Sequence, residues 1–186
     1  MSEMTIITGG EVVDFARARA RRMPDVLARL WRLWDRLGGA DGVPFRADLT
    51  VDVLGDLAPH LTFADHVRPG CTRVAVAGSA WDVLPHDATG LPVRAFFDLP
   101  DRDAAARLVE RTFDGPATVD LTLRGARALV LPLRGETGRA TKAVIGLSLS
   151  GPVPDGRLRL DGHSITRLDA PAKVARPAVE PLRVVG

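Results

Sequence analysis

The stretch "ATVDLTLRGARALVLPLRGETGRATKAVIGLSLS", residues 117–150, decides the fold. It holds three apolar runs, "ATVDLTL", "ARALVLPL" and "KAVIGLSLS", each of strand length. Val119, Leu121 and Leu123 alternate with polar residues, the period of a half-buried strand. Arg124-Gly125 and "RGETGRAT" punctuate the runs as turns. Three strands joined by short turns make an antiparallel meander.

Upstream, "HLTFADH" and "TRVAVAGS" flank "RPGC", whose Pro-Gly pair marks the turn of a further hairpin. Between hairpin and meander, "DRDAAARLVERTF" starts a helix at Asp101, with Ala105, Leu108, Val109 and Phe113 on its apolar face. "AWDVLP" and "LPVRAFFD", around "HDATG", read as short helical or irregular pieces. Residues 11–38 read as two helices divided at Pro24, which suits the first position of the second. Val26, Leu27, Leu30, Trp31, Leu33, Trp34 and Leu37 give that helix a wide apolar stripe, and Gly38-Gly39 ends it. Asp48 or Thr50 caps a short helix that runs to about Asp56. "RLRLDGHSITRL" reads as one more short hairpin through Asp161-Gly162. Two strands, helices, then three strands give an α+β domain. The divisions are a helical extension over 1–40, a domain over 41–168 and a Pro- and Ala-rich tail over 169–186, read as flexible.

Composition limits what such a domain does. In 186 residues, 46% hydrophobic content suffices for one core, and the 5% aromatic share leaves that core to Leu, Val and Ala. A net charge of +2, from 25 basic and 23 acidic residues, points to neither nucleic acid nor membrane as partner. Lys142 and Lys173 are the only lysines, a bias of GC-rich bacterial coding rather than a sign of phosphate binding. Cys71 stands alone, so no internal disulfide forms. With no basic-then-apolar leader in "MSEMTIITGG" and no run of 18 apolar residues, a cytoplasmic location is expected.

The order of "LWRLWDRLGG", "PFRADLTVDVLGDLAPHL" and "AGSAW" resembles a bacterial family of PAS-like single-domain proteins. In that family a tryptophan-bearing helix precedes a P-x-R-x-D segment, a short helix and a Leu-x-Pro-x-Leu strand start. Here these are Trp31 or Trp34, Pro44, Arg46 and Asp48, and Leu57, Pro59 and Leu61. Asp87, Thr89 and Gly90 resemble the family's D-x-T-G turn, and Leu131-Pro132-Leu133 with Gly146 its final hairpin. The likeness covers roughly residues 26–150 and departs from the pattern at Val51, where many relatives carry proline. After Cys71 the strand lacks the usual aromatic residues. The resemblance implies a PAS-like fold, a five-stranded antiparallel sheet with helices on one face. It also implies a sensory or interaction role, often as a dimer through an N-terminal helix. It implies no single ligand or catalytic set.

Several residues invite chemistry. Asp48, Asp52, Asp56 and His60 are spaced four apart, as metal ligands on one helix face are, but Gly55 and Pro59 break the row. They read as a cap and solvated positions, with Arg46 able to pair with one of the acids. His86 suits an axial haem ligand, yet beside Asp87 it reads as a turn residue. Cys71 lacks the surroundings of a flavin-adduct thiol. "GETGRATK" has the wrong order for a phosphate loop, and no G-x-S-x-G is present. No cofactor follows from the residues.

Trp81, His86, Phe96 and Phe97 are expected to line a pocket, with Leu129, Leu131 and Val144 facing them from the strands. Leu27, Leu30, Trp31 and Trp34 are expected to form an interface between two copies. The functional expectation is a non-enzymatic sensory or adaptor domain of bacterial signalling, without an output domain. It would bind a small apolar ligand, a signalling protein, or both. The alternative is an enzyme using the same cavity for a small hydrophobic substrate, though no nucleophile–base pair supports it.

Overall fold

The computed structural model describes residues 23–38, 42–84 and 88–168. The first helix expected over 11–23, His86 and Asp87, and the tail from 169 lie outside the described residues, Met23 apart. The α+β class stands. Helix α1 (Asp25–Gly38) leads to a short α2 (Val51–Leu54) and the hairpin β1 (Leu61–Arg68) and β2 (Cys71–Ala77). Tight 3-10 turns at Ser79–Val83 and Val93–Phe96 precede α3 (Arg102–Glu110). The meander β3 (Ala117–Leu123), β4 (Ala126–Arg134) and β5 (Ala140–Leu149) follows, and β6 (Leu160–Arg167) completes the order.

All six strands form one antiparallel sheet in the order β2-β1-β5-β4-β3-β6. The expected hairpin at Asp161-Gly162 is instead a single strand paired along β3. A type I′ turn needs positive φ at both central residues, and Gly162 is not among the residues with positive φ. Leu158, on its other side, is already held, since its amide donates to the Phe96 carbonyl and its carbonyl accepts from the Asp98 amide. The sheet therefore has six strands rather than five.

Both faces of the sheet are covered, where the resemblance implied one. On one face, Ala128, Val130, Ala143, Ile145 and Leu147 pack under Trp81, Phe96, Phe97 and α3. On the other, Leu129, Leu131, Leu133 and Val144 pack under α1 and the 43–57 segment. Strands buried on both faces are near-continuously apolar, which is how "ALVLPL" and "AVIGL" read.

Two features bring α1 onto the sheet. Gly146 lies under it, and a Cβ there would stand 2.6 Å from Leu30 Cδ2 and 2.9 Å from Leu27 Cδ2. Trp34 Nε1 donates to the Pro132 carbonyl at 2.7 Å. The β3–β4 register ends at Val119↔Val130, short of Pro132, so the missing proline N–H removes no bond to β3. We expect Gly146→Val to lower stability by about 1–3 kcal/mol through overpacking, read as a fall of several degrees in melting temperature. A variant that melts with the unmodified protein would contradict this packing.

Candidate functional site: the covered sheet face and the Pro44–Asp48 corner

The residues expected to line one pocket are divided by the sheet. Trp81, Phe96 and Phe97 share a core, each at most 3% exposed. The Trp81 and Phe96 rings lie 5.6 Å apart, and Trp81 Nε1 donates to the His60 carbonyl at 3.2 Å. Leu129, Leu131 and Val144 belong to the opposite core, against α1. Successive strand residues point to opposite faces, so the strand residues beneath Trp81 and Phe96 are those one place along, Val130 and Ile145.

Among the described residues this layer is packed. A cleft at its margin, lined by Thr72, Val93, Ala106 and Val109 among others, holds about 10 Å³, room for about one water. One polar atom of the covered face stands out. Thr62, paired with Ile145 in register, is fully buried, and its hydroxyl has no hydrogen-bond partner among the described residues. Such an atom costs about 1–3 kcal/mol.

The acidic row does not converge. Asp48 accepts from the Phe45 amide at 3.1 Å, while Thr50 caps α2 by accepting from the Val53 amide. Asp56 pairs with Arg29 of α1, whose hydrogen bond holds the Asp56 carboxyl below its ordinary range. Asp52 sits exposed in the first turn of α2. Cys71 opens β2, half-buried.

The P-x-R-x-D segment builds a different site. Arg46, expected to pair with a neighbouring acid, stacks on the Phe63 ring at 3.6 Å and donates to the Leu49 carbonyl at 3.0 Å. Burial pulls its guanidinium below the ordinary value, with Asp65 opposing that shift. Beside it, the Arg134 guanidinium lies 4.3 Å from the centre of the Phe45 ring. The Arg134 amide donates to the Pro44 carbonyl at 2.9 Å, docking the corner on the end of β4. Phe45 keeps 38% of its surface exposed. The motif thus closes its own turn through Asp48 and presents two Arg–Phe stacks.

The four residues expected at an interface between copies lie inside the chain. Leu27 and Leu30 are fully buried, and Trp31 and Trp34 are 7% and 1% exposed. Their apolar surface is spent on the sheet. Sequence reasoning missed the pairing of Asp120 with Arg127. Two hydrogen bonds, of 2.9 and 2.8 Å, join them, and Asp120 is 4% exposed. Hydrogen bonding to Asp120 raises the Arg127 guanidinium above its ordinary value, against the effect of burial. The signal was present in "ATVDLTL", where alternation puts Asp120 opposite the face of Val119 and Leu121.

The chain matches no protein-family model, and none of the curated proteins compared with it is similar. Among solved structures it is similar to an RNA-binding light-oxygen-voltage receptor, at 18% identity and a TM-score of 0.39, over 56% of this chain and 34% of that one. It is also similar to an IcIR transcriptional regulator from Alicyclobacillus acidocaldarius, at 13% identity and a TM-score of 0.27, over 77% and 64% of the two chains. It spans about a third of the receptor's length, 34%, and under two thirds of the regulator's, 64%. At such scores neither likeness carries an argument about this chain. Among the described residues, no helix is long and apolar enough to cross a membrane.

A double-mutant cycle tests the Arg46–Phe63 stack. Arg46→Met and Phe63→Leu are expected to couple by about 0.5–2 kcal/mol in urea unfolding. Strict additivity would contradict the stack.

Proposed function

We propose that this chain is a PAS-like signalling adaptor that acts by binding a protein partner in the bacterial cytoplasm and performs no chemistry of its own. The observation that carries this reading is the packing of the sheet face where a sensory pocket was expected. Trp81, Phe96 and Phe97 fill that layer to within 3% exposure. What faces outward instead is the Phe45 ring, 38% exposed, with the half-buried Arg134 guanidinium over it. Aromatic and arginine side chains are the residue types enriched at interface centres.

A second reading, a sensor of a small ligand, is favoured by the Thr62 hydroxyl. It is buried, on the pocket side of β1 and without a partner among the described residues. A ligand offering one hydrogen-bonding group among apolar atoms would satisfy it.

Mass spectrometry of the purified protein, native and denaturing side by side, separates the two. The adaptor reading expects the same chain mass in both. A discrete small mass lost on denaturation would overturn it in favour of the sensor.

A further inference from the structure

α1 is buried over more of its surface than the sheet covers. Each residue advances about 100° round a helix. Leu27, Leu30 and Trp34 make the line that faces the sheet, with Leu33 and Arg29 on one flank and Trp31 and Ala28 on the other. Arg29 reaches Asp56, so its flank lies towards the 55–60 turn and β1. The opposite flank looks over β4 towards β3 and β6. Among the described residues α1 is seated chiefly on β4, β5 and the 55–60 turn, all beneath it or on the Arg29 flank. Ala28, turned away from the sheet on the other flank, is nevertheless 5% exposed.

The floor beside that flank is covered as well. Thr118 and Asp120 lie on the α1 side of β3, opposite the face of Val119 and Leu121. They are 0% and 4% exposed, so a carboxylate has been taken out of water there. On β6 the residues paired with them, Thr166 and Ser164, are exposed. The covered strip beyond α1 is thus one strand wide. Helices pack about 8–10 Å apart and strands about 4.8 Å apart, so a single helix beside α1 covers that strip.

We propose that residues 11–22 fill this groove as a helix antiparallel to α1, and that Arg19 meets Asp120 on its floor. Residues 1–22 lie outside the described residues, and the chain enters α1 through Met23, 8% exposed, and Pro24. So short a link makes consecutive helices antiparallel neighbours. Residues 11–22 as a helix span about 18 Å, close to the length of α1, about 21 Å. In that register Ala20 and Ala16 fall opposite Ala28 and Trp31, where small side chains let the helices approach. Val12, Phe15, Ala16 and Ala20 share one face, and Arg19 falls in its middle. An arginine on a buried face needs an acid, and Asp120 is the acid of the groove floor. Arg17 and Arg21 fall on the outer side. The tail over 169–186 fits the groove less well, since Pro171, Pro177 and Pro181 bar a helix of this length.

Paired substitutions in the full-length chain test this. Arg19→Met is expected to lower the melting temperature by several degrees, while Arg21→Met, on the outer side, melts with the unmodified protein. In an Asp120→Asn background Arg19→Met is expected to lose most of its effect. Ala16→Arg drives a charge into the contact, so it is expected to lower the melting temperature and red-shift the tryptophan emission. Ala18→Arg, on the outer side, leaves both unchanged. In a Cys71→Ala background, Val12→Cys and Asp35→Cys fall opposite one another, and a short bismaleimide is expected to link them within one chain. Three results would each overturn the proposal. One is Arg19→Met and Ala16→Arg variants as stable as their outer-side controls, which would pass the groove to the tail. Another is an Arg19→Met effect undiminished by Asp120→Asn. The third is a link formed between chains, which would give the groove to a second copy.

Discussion

The structure depends on the seating of α1 on the sheet. Gly146 removes the one side chain that would hold the helix off, and Leu27 and Leu30 occupy the vacated space. Trp34 then reaches the Pro132 carbonyl. Full burial of a large apolar side chain contributes about 1.5–3 kcal/mol. α1 buries Leu27, Leu30, Trp31, Leu33 and Trp34 together. Against a net stability of about 5–15 kcal/mol for a domain, this contact decides whether the second sheet face survives in water. It also explains the Pro44–Asp48 corner, which covers the end of that same face through the Arg46–Phe63 and Arg134–Phe45 stacks.

The sheet's two covered faces shape what the molecule offers to others. One face is committed to α1, the other to Trp81, Phe96, Phe97 and α3. α3 is tied to the far hairpin as well, where Glu110 accepts from the Gly70 amide and the His66 ring stacks on Phe113 at 4.7 Å. Among the described residues, the Phe45 ring at the corner keeps 38% of its surface exposed. Within the interior, the Thr62 hydroxyl has no hydrogen-bond partner among the described residues.

Much of this was legible in the sequence because local signals agreed. Alternation in "ATVDLTL", the Arg124-Gly125 turn and the apolar stripe of α1 all point to the elements observed. Gly125 takes the positive φ of 73° that its turn requires. What failed has physical causes. β4 and β5 are apolar on both sides, so no polar residue marks which parity faces which layer. Leu129, Leu131 and Val144 were accordingly assigned to the face of Trp81 when they lie under α1. The stripe of α1 looked like an interface because a helix pattern does not say what covers it. Gly146, 116 residues after Leu30, was the relevant clue. Asp161-Gly162 carried a turn signal, but Leu158 was already bound to the 96–98 segment and the chain ran on as a strand. Arg46 was read against its acidic neighbours in sequence, while its partner Phe63 lies in β1.

Native-state amide hydrogen exchange tests the central claim most directly. If α1 is an integral layer, the amides of Leu30, Trp31 and Trp34 exchange only with global unfolding, as slowly as those of Val130 and Ile145. Exchange of α1 far ahead of β4 and β5, with the sheet still protected, would show a helix that is not seated and would contradict the account.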